Sequence, residues 1–305
     1  MRAVATISGA RVVGDEVGSR RLAFTPGPPR AGAYRFEIGT AGSASLVLQA
    51  VHLPLALADG PSAVEIVGGT HVPWSPSFDE IEGCWSVWME RLGLPVAVEL
   101  EAAGFYPAGG GRLVARFEGR GTPRPLEATE RGEWREVRVR SSVCNLPLSI
   151  AERQAGAAAA RLAGAERRAP CAVVPELREV AGPGPGTAIA VVGVAEKAVG
   201  SASALGAPGK PAERVGREAA GAFLRWAETP AALDEHLADQ ILLPLALADE
   251  ISVFTAARVT AHLRTQAEAI ASFLPVEVRI DPLPDSPAAR VEVRPVRAPA
   301  RGASA

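Results

Sequence analysis

Four histidines are the side chains best suited to chemistry in this sequence: His52, His71, His236 and His262. Their settings differ. His52 sits in an apolar helix-like run, LVLQAVHLPLA, where an imidazole is read first as a packing group. His71 follows Gly68-Gly69-Thr70, a loop signal. His236 opens the run HLADQ, and His262 stands near the start of a helix-like stretch. Their spacing is tied to a repeat: Leu53–Asp59 reads LPLALAD, and Leu243–Asp249 reads the same 190 positions later. At that offset Asp239 falls opposite Gln49, and His262 falls within one position of His71. Polar groups that recur inside apolar segments are costly in a pure core, which makes them candidate ligand contacts.

The flanks of the two LPLALAD copies share an order of elements. After the first come a strand-like run (Ala63–Val67), a helix-like run (Asp79–Leu92), and alternation at Val96–Leu100 and Arg112–Phe117. After the second come Ile251–Phe254, a helix candidate over His262–Phe273, and alternation at Val276–Ile280 and Ala289–Val293. Both copies read α-β-α-β-β. Residues 1–25 read as the α-β-β tail of a third such unit, so the expectation is a chain that begins partway through a first repeat, by truncation or by a misassigned start. An exposed sheet edge or apolar surface is expected there. Between the repeats, residues 130–228 read β-α-β-β-α, with strands at Glu133–Arg140, Cys171–Val180 and Thr187–Val194 and helices at Leu148–Leu162 and Pro211–Trp226. This predicts a small inserted α/β domain between core segments 1–129 and 229–305.

Composition narrows the function classes. The chain has 305 residues and a formal net charge of −2, with 48% hydrophobic and 22% charged residues, which excludes a disordered or collagen-like chain. No run reaches the ~18 uninterrupted apolar residues of a membrane helix, and the first residues lack a signal-peptide block. A cytoplasmic protein with no membrane partner is the expectation. Cys84, Cys144 and Cys171 are too few and too widely spaced for a disulfide framework or a zinc site. Only Lys197 and Lys210 are lysines, which leaves 30 arginines; with this charge balance, nucleic acid can be held only by a local basic patch. Arg112–Arg140 carries 8 Arg and 5 Glu, a local +3, read first as a solvated surface. The glycine clusters at Gly39–Gly42, before a helix, and Pro107–Gly111, before a strand, permit close backbone approach. Gly182–Thr187 (GPGPGT) lacks the Lys-Ser/Thr of a phosphate loop and reads as a turn.

At GTAGSASLVLQ (39–49), ADGPS (58–62), GGTH (68–71), GFYPAGGG (104–111), HLADQ (236–240) and His262-Leu263 the chain resembles the RNA 3′-terminal phosphate cyclases, along nearly its whole length. The resemblance implies an α/β (α+β) fold of repeated βαβαββ-type units, shared with enolpyruvyl transferases, plus an inserted thioredoxin-like domain. It implies a ligase that uses ATP and a divalent metal, magnesium or manganese, to convert an RNA 3′-phosphate end into a 2′,3′-cyclic phosphate. The nucleophile it implies is His262, which becomes adenylylated. The nucleotide contacts it implies are Gln49, Pro76, His236, Leu237, Ala238, Asp239 and Gln240, with the adenine near Trp74–Phe78. It assigns no metal ligand. An imidazole near neutral pH is largely uncharged and nucleophilic, which suits that role.

The chain departs from the family pattern at its start. Members usually carry a GEGGGQxxR segment and an RxGRxKPGL stretch, and neither is present. That puts in doubt a glutamate near the histidine and several phosphate-binding arginines. Two rival readings follow: an inactive shortened cyclase, and a non-catalytic RNA-binding scaffold of the same fold, like ribosome-biogenesis relatives. An enolpyruvyl transferase has only fold analogy behind it.

Overall fold

The alternation in Ser62–Gly68 buries every second side chain, and this strand anchors the first of two like-ordered sheets. The computed structural model describes residues 1–165 and 172–296. The chain opens with α1 (Arg2–Ser8) and an antiparallel pair, β1 (Arg11–Val13) and β2 (Ala23–Thr25). Next come β3 (Ala33–Glu37), α2 (Ala44–Ala56), β4 (Ser62–Gly68) and α3 (Phe78–Glu80). A π-helical turn (Ile81–Trp85) carries α3 into α4 (Ser86–Arg91), followed by β5 (Ala97–Ala102) and β6 (Gly111–Phe117). After β7 (Glu127–Ala128) the chain leaves for β8 (Trp134–Cys144), α5 (Leu148–Ala163), β9 (Val173–Glu179), β10 (Gly186–Ala195), β11 (Val199–Leu205) and α6 (Ala212–Ala227). It returns through α7 (Leu237–Gln240), α8 (Leu242–Ala246), β12 (Ser252–Ala256), α9 (Ala261–Phe273), β13 (Val276–Pro282) and β14 (Ala289–Pro295).

Two sheets have matching topology. One runs β3-β4-β6-β5 and the other β7-β12-β14-β13. In each, the first strand pairs parallel with the second, and the remaining pairs are antiparallel. Each unit is therefore β-α-β-α-β-β, and the extra layer is inserted after the first strand of the second unit. That layer holds the mixed sheet β11-β10-β8-β9, with α5 and α6 packed on it.

Three short or small-residue strands escape the apolar pattern. The α-β-α-β-β reading omits β3 and β7, the parallel first strands; β7 spans only Glu127–Ala128. The inserted layer is β-α-β-β-β-α, because Val199–Leu205 (VGSASAL) pairs with β10 in the register Val192↔Ser201. Its small residues hide the strand signal yet are needed: a Cβ on Gly200 would lie 2.5 Å from the Trp226 ring of α6. The start of the predicted Cys171–Val180 strand lies outside the described residues.

The inserted layer is bolted to the rest of the chain. Arg140 pairs with Glu176 (2.8 Å) and with Glu82 of the π turn (2.7 Å), and Arg178 reaches Asp79 (3.6 Å). Trp88 Nε1–H donates to the Val199 carbonyl (2.8 Å). Arg131 stacks on Trp134 (4.6 Å) and Trp226 (5.3 Å) and donates to the carbonyls of Trp226, Ala227, Thr229 and Ala231, which fixes the return path from α6. Near the chain start, Val13, Val17 and Leu22 are exposed, and β3 forms a sheet edge among the described residues. No helix of the described residues is long and apolar enough to cross a membrane.

Candidate nucleotide site between the repeats

The site grows from one pair of matching helices. α2 starts where Ser43 accepts a hydrogen bond from Leu46 N–H (3.0 Å), an ordinary N-cap. Its residues Ala44, Leu48, Val51, His52 and Leu55 are buried, with His52 bonded to Leu94 and packed on Trp85 of its own unit, which leaves Gln49 facing the equivalent region of the other unit. There α7 and α8 divide at Ile241, and Asp239 and Gln240 turn toward α2. Gln49 Nε2 donates to Gln240 Oε1 at 2.8 Å. Residues of both LPLALAD copies, Leu53, Leu243 and Pro244, line one cleft, and Gln49 bonds the neighbour of Asp239, its counterpart at the repeat offset.

Between them lies a cleft of about 230 Å³ lined by Gln49, His52, Leu53, Trp85, Met89, Asp239, Gln240, Leu243, Pro244 and Gln266. Its lining combines apolar side chains (Leu53, Trp85, Met89, Leu243, Pro244) with the carboxamides of Gln49, Gln240 and Gln266, a combination suited to a small polar ligand with a flat apolar part. Trp85 and Met89 reach it from the π turn and α4, and Gln266 from α9. Burial pushes the Asp239 carboxyl above the usual carboxylate range, while the imidazoles of His262 and His236 pull it back down. A larger hollow of about 500 Å³ at the ends of β8 and β9, lined by Val143, Asn145, Leu146, Pro147, Glu179, Val180 and Ala181, holds none of the predicted site residues.

His262 is exposed in the first turn of α9, where Thr260 caps the helix by accepting from Leu263 N–H (3.0 Å). It lies four positions before Gln266, so the two share one face of the helix; His262 is outside the cleft lining, but its charge acts on Asp239, which lines it.

The other histidines are placed differently. His52 is 1% exposed, with Nε2 at 2.8 Å from the Leu94 carbonyl and its ring edge-on to Trp85; burial pushes its pKa down to about 4, so it is neutral at physiological pH. His71 is buried, hydrogen-bonded to Thr70, 3.4 Å from Asp79 and stacked on Phe105. The numerical match between His71 and His262 is therefore not a structural one: residues 69–77 separate β4 from α3, whereas only 257–260 separate β12 from α9.

Of the remaining predicted contacts, His236 is exposed, while Leu237 and Ala238 are buried in the core, with Leu237 N–H donating to Asp234 Oδ1 (2.8 Å) and Ala238 N–H to the Asp234 carbonyl (3.3 Å). Pro76 lies outside the cleft, in the loop that the Ser43–Ser75 hydrogen bond ties to the start of α2. Beside it, Trp74 is 99% exposed at φ 64°. Gln266, Trp85 and Met89 were not among the predicted residues; the i, i+4 spacing from His262 was the available signal for Gln266.

The glycine clusters serve the chain itself. A Cβ on Gly104 would lie 2.3 Å from the Gly68 carbonyl oxygen, and Gly109 (φ 62°) lies against Thr40 and Ala41. The GPGPGT run is the turn from β9 to β10. The arginines of 112–140 do not form one basic face: Arg112, Arg116, Arg120, Arg138 and Arg140 each pair with a carboxylate, and Arg131 is part-buried. Among the described residues no group of three His, Cys, Asp or Glu side chains is placed to hold a metal ion.

A family model described as RNA 3′-terminal phosphate cyclase matches residues 1–280. The chain belongs to that family. It is 41% identical over 295 residues to an RNA 3′-terminal phosphate cyclase of Ralstonia nicotianae, covering 96% of this chain and 82% of the relative. It is 43% identical over 299 residues to one of Methanopyrus kandleri, covering 97% of this chain and 84% of the relative. One of Methylococcus capsulatus is 43% identical over 282 residues, covering 90% and 77%. Family membership accords with the repeated βαβαββ units and the inserted α/β layer.

Proposed function

We propose that this chain converts RNA 3′-terminal phosphates into 2′,3′-cyclic phosphates with ATP as co-substrate, and that His262 is the nucleophile. A histidine nitrogen attacks the α-phosphorus of ATP; the P–N bond forms as pyrophosphate leaves. The RNA 3′-phosphate then takes the adenylyl group, which frees the imidazole. The neighbouring 2′-hydroxyl attacks the activated phosphorus, loses its proton, and expels AMP. This last step is intramolecular, where effective molarities of ~10⁵ M or more are reached by positioning alone, and it needs the hydroxyl that DNA lacks.

The observation that carries this reading is the exposed imidazole one helical turn before Gln266, which lines one cleft with Gln49, Asp239 and Gln240, and close enough to act on the Asp239 carboxyl. His52 and His71, both buried and hydrogen-bonded, are poorly placed to compete with it. A magnesium or manganese ion that neutralises phosphate charge fits a site with one cleft carboxylate, Asp239, because such ions bind mainly through nucleotide phosphates and water. Incubation with α-³²P-labelled ATP and magnesium is expected to give an acid-labile protein adduct that His262→Ala abolishes. Undiminished labelling of that variant would overturn the assignment.

A further inference from the structure

The edge strand of the inserted layer holds both segments predicted to bind the nucleotide. Ser203 Oγ, on β11, donates to Glu80 Oε2 at 2.7 Å. The same carboxylate oxygen accepts from Ser77 N–H (2.8 Å) and Ser77 Oγ (3.0 Å), closing the capping box that starts α3 immediately after Pro76. Two residues earlier on β11, Ser201 N–H donates to Asp234 Oδ2 at 3.1 Å. The other oxygen of Asp234 accepts from His236 N–H (3.0 Å) and Leu237 N–H (2.8 Å), which fixes the start of the 236–240 run.

This geometry has a physical reason. β11 lies at the edge of its sheet, so its outward backbone groups need partners from elsewhere. A helix as short as α7, Leu237–Gln240, cannot hold its own shape. Asp234 meets both needs at once, and it is buried where an unpaired carboxylate would be expensive. Cys84 of the π turn closes the group, with its Sγ 3.6 Å from the Val199 carbonyl.

We propose that β11 sets the separation of the two segments expected to contact the nucleotide: the Ser77 turn beside Pro76, outside the cleft, held through Ser203 and Glu80, and the His236–Gln240 run that supplies Asp239 and Gln240 to the cleft, held through Ser201 and Asp234. Glu80 and Asp234 are positioning residues, and the inserted layer is part of the nucleotide-binding apparatus. This inference rests on the nucleotide reading above.

The test uses the full chain, with AMP as the probe. Amide hydrogen exchange is measured at Ser77, Glu80, His236 and Leu237, and AMP affinity is measured in parallel, for Ser203→Ala, Asp234→Asn and the hydroxyl-retaining Ser203→Thr. Exchange is expected to rise about tenfold or more at Ser77 and Glu80 in S203A, and at His236 and Leu237 in D234N. AMP affinity is expected to fall about five- to tenfold in each, the weight of one hydrogen bond. S203T should stay within about twofold of wild type. Wild-type exchange in both S203A and D234N would overturn the clamp and leave the nucleotide reading intact. Loosened segments with unchanged AMP affinity would overturn this inference alone, and a wild-type protein that binds no AMP would overturn the nucleotide reading and this inference with it.

Discussion

Lowering the pH from 7 to 5 should cost the fold about 2 kcal/mol through His52 alone. The ring is buried and edge-on to Trp85, its centroid 4.8 Å away, and its Nε2 is engaged with the Leu94 carbonyl. Burial pushes its pKa down to about 4, whereas an unfolded chain leaves it near 6.5. Between these values the unfolded state binds more protons than the native state, so stability falls as pH drops through 6.5 toward 4. The loss is about 2 kcal/mol at pH 5 and about 3 kcal/mol near pH 4. With an unfolding entropy of ~2.1 cal/mol/K per residue over this chain, 2 kcal/mol lowers Tm by about 3 °C. Glu80, Asp234 and Asp239 have pKa values raised by burial and act in the opposite sense, stabilising the fold as pH falls, but they are common to wild type and variant. The assay is therefore a difference: thermal unfolding of wild type and His52→Gln from pH 7.5 to 5, comparing slopes and not absolute Tm. The wild-type slope should exceed the variant's by about 3 °C over that range. Parallel curves, or an NMR titration of the native His52 ring centred near 6.5, would refute the argument.

Two further substitutions probe the supports of the site. Thr260→Ala removes the cap of α9 in the turn that carries His262 and should cost about 1 kcal/mol by denaturant unfolding, while Thr260→Ser should retain most of that stability. Arg131→Leu leaves the carbonyls of Trp226, Ala227, Thr229 and Ala231 without their shared donor and should cost about 3 kcal/mol, read as a drop in Tm of about 5 °C; an unchanged Tm would show that the return path from α6 holds itself.

Most of the scaffold was legible because its period is regular. β4, β6, β13 and β14 alternate, and these and the short β12 emerged within two residues of the sequence expectation. β3, β7 and β11 were not legible from periodicity: β7 is too short to show a period, and β11 is built from residues small enough to fit beneath Trp226. The candidate site divides similarly. Gln49 and Asp239 stand out as polar residues at matching places in the repeat, Gln240 came only with the family resemblance, and all three line one cleft. Leu237 and Ala238 belong to the same motif, yet their side chains pack inward, because a short helix at the edge of a core must bury one face. Asp234 and Glu80 gave no sequence signal, since a buried carboxylate is defined by the distant N–H and O–H groups that surround it.

The two repeats differ most where the chemistry is expected. α2 runs unbroken through Val51, with Pro54 tolerated inside it, while its counterpart is divided at Ile241, and the break lets Asp239 and Gln240 face the cleft. The connection from β4 to α3 is long enough for His71 to fold into the core against Phe105. The corresponding connection from β12 is short, so the next helix begins at once and carries His262 into solvent in its first turn. A duplicated unit supplies two similar walls at no extra topological complexity. Divergence in one helix and one loop then makes the two units unequal, one holding a buried imidazole and the other presenting an exposed one. If that account is right, lengthening the 257–260 connection by a few glycines should abolish adduct formation while leaving β12 and α9 folded, as read by labelling and by circular dichroism; labelling at the wild-type rate would show that the short connection has no part in presenting His262.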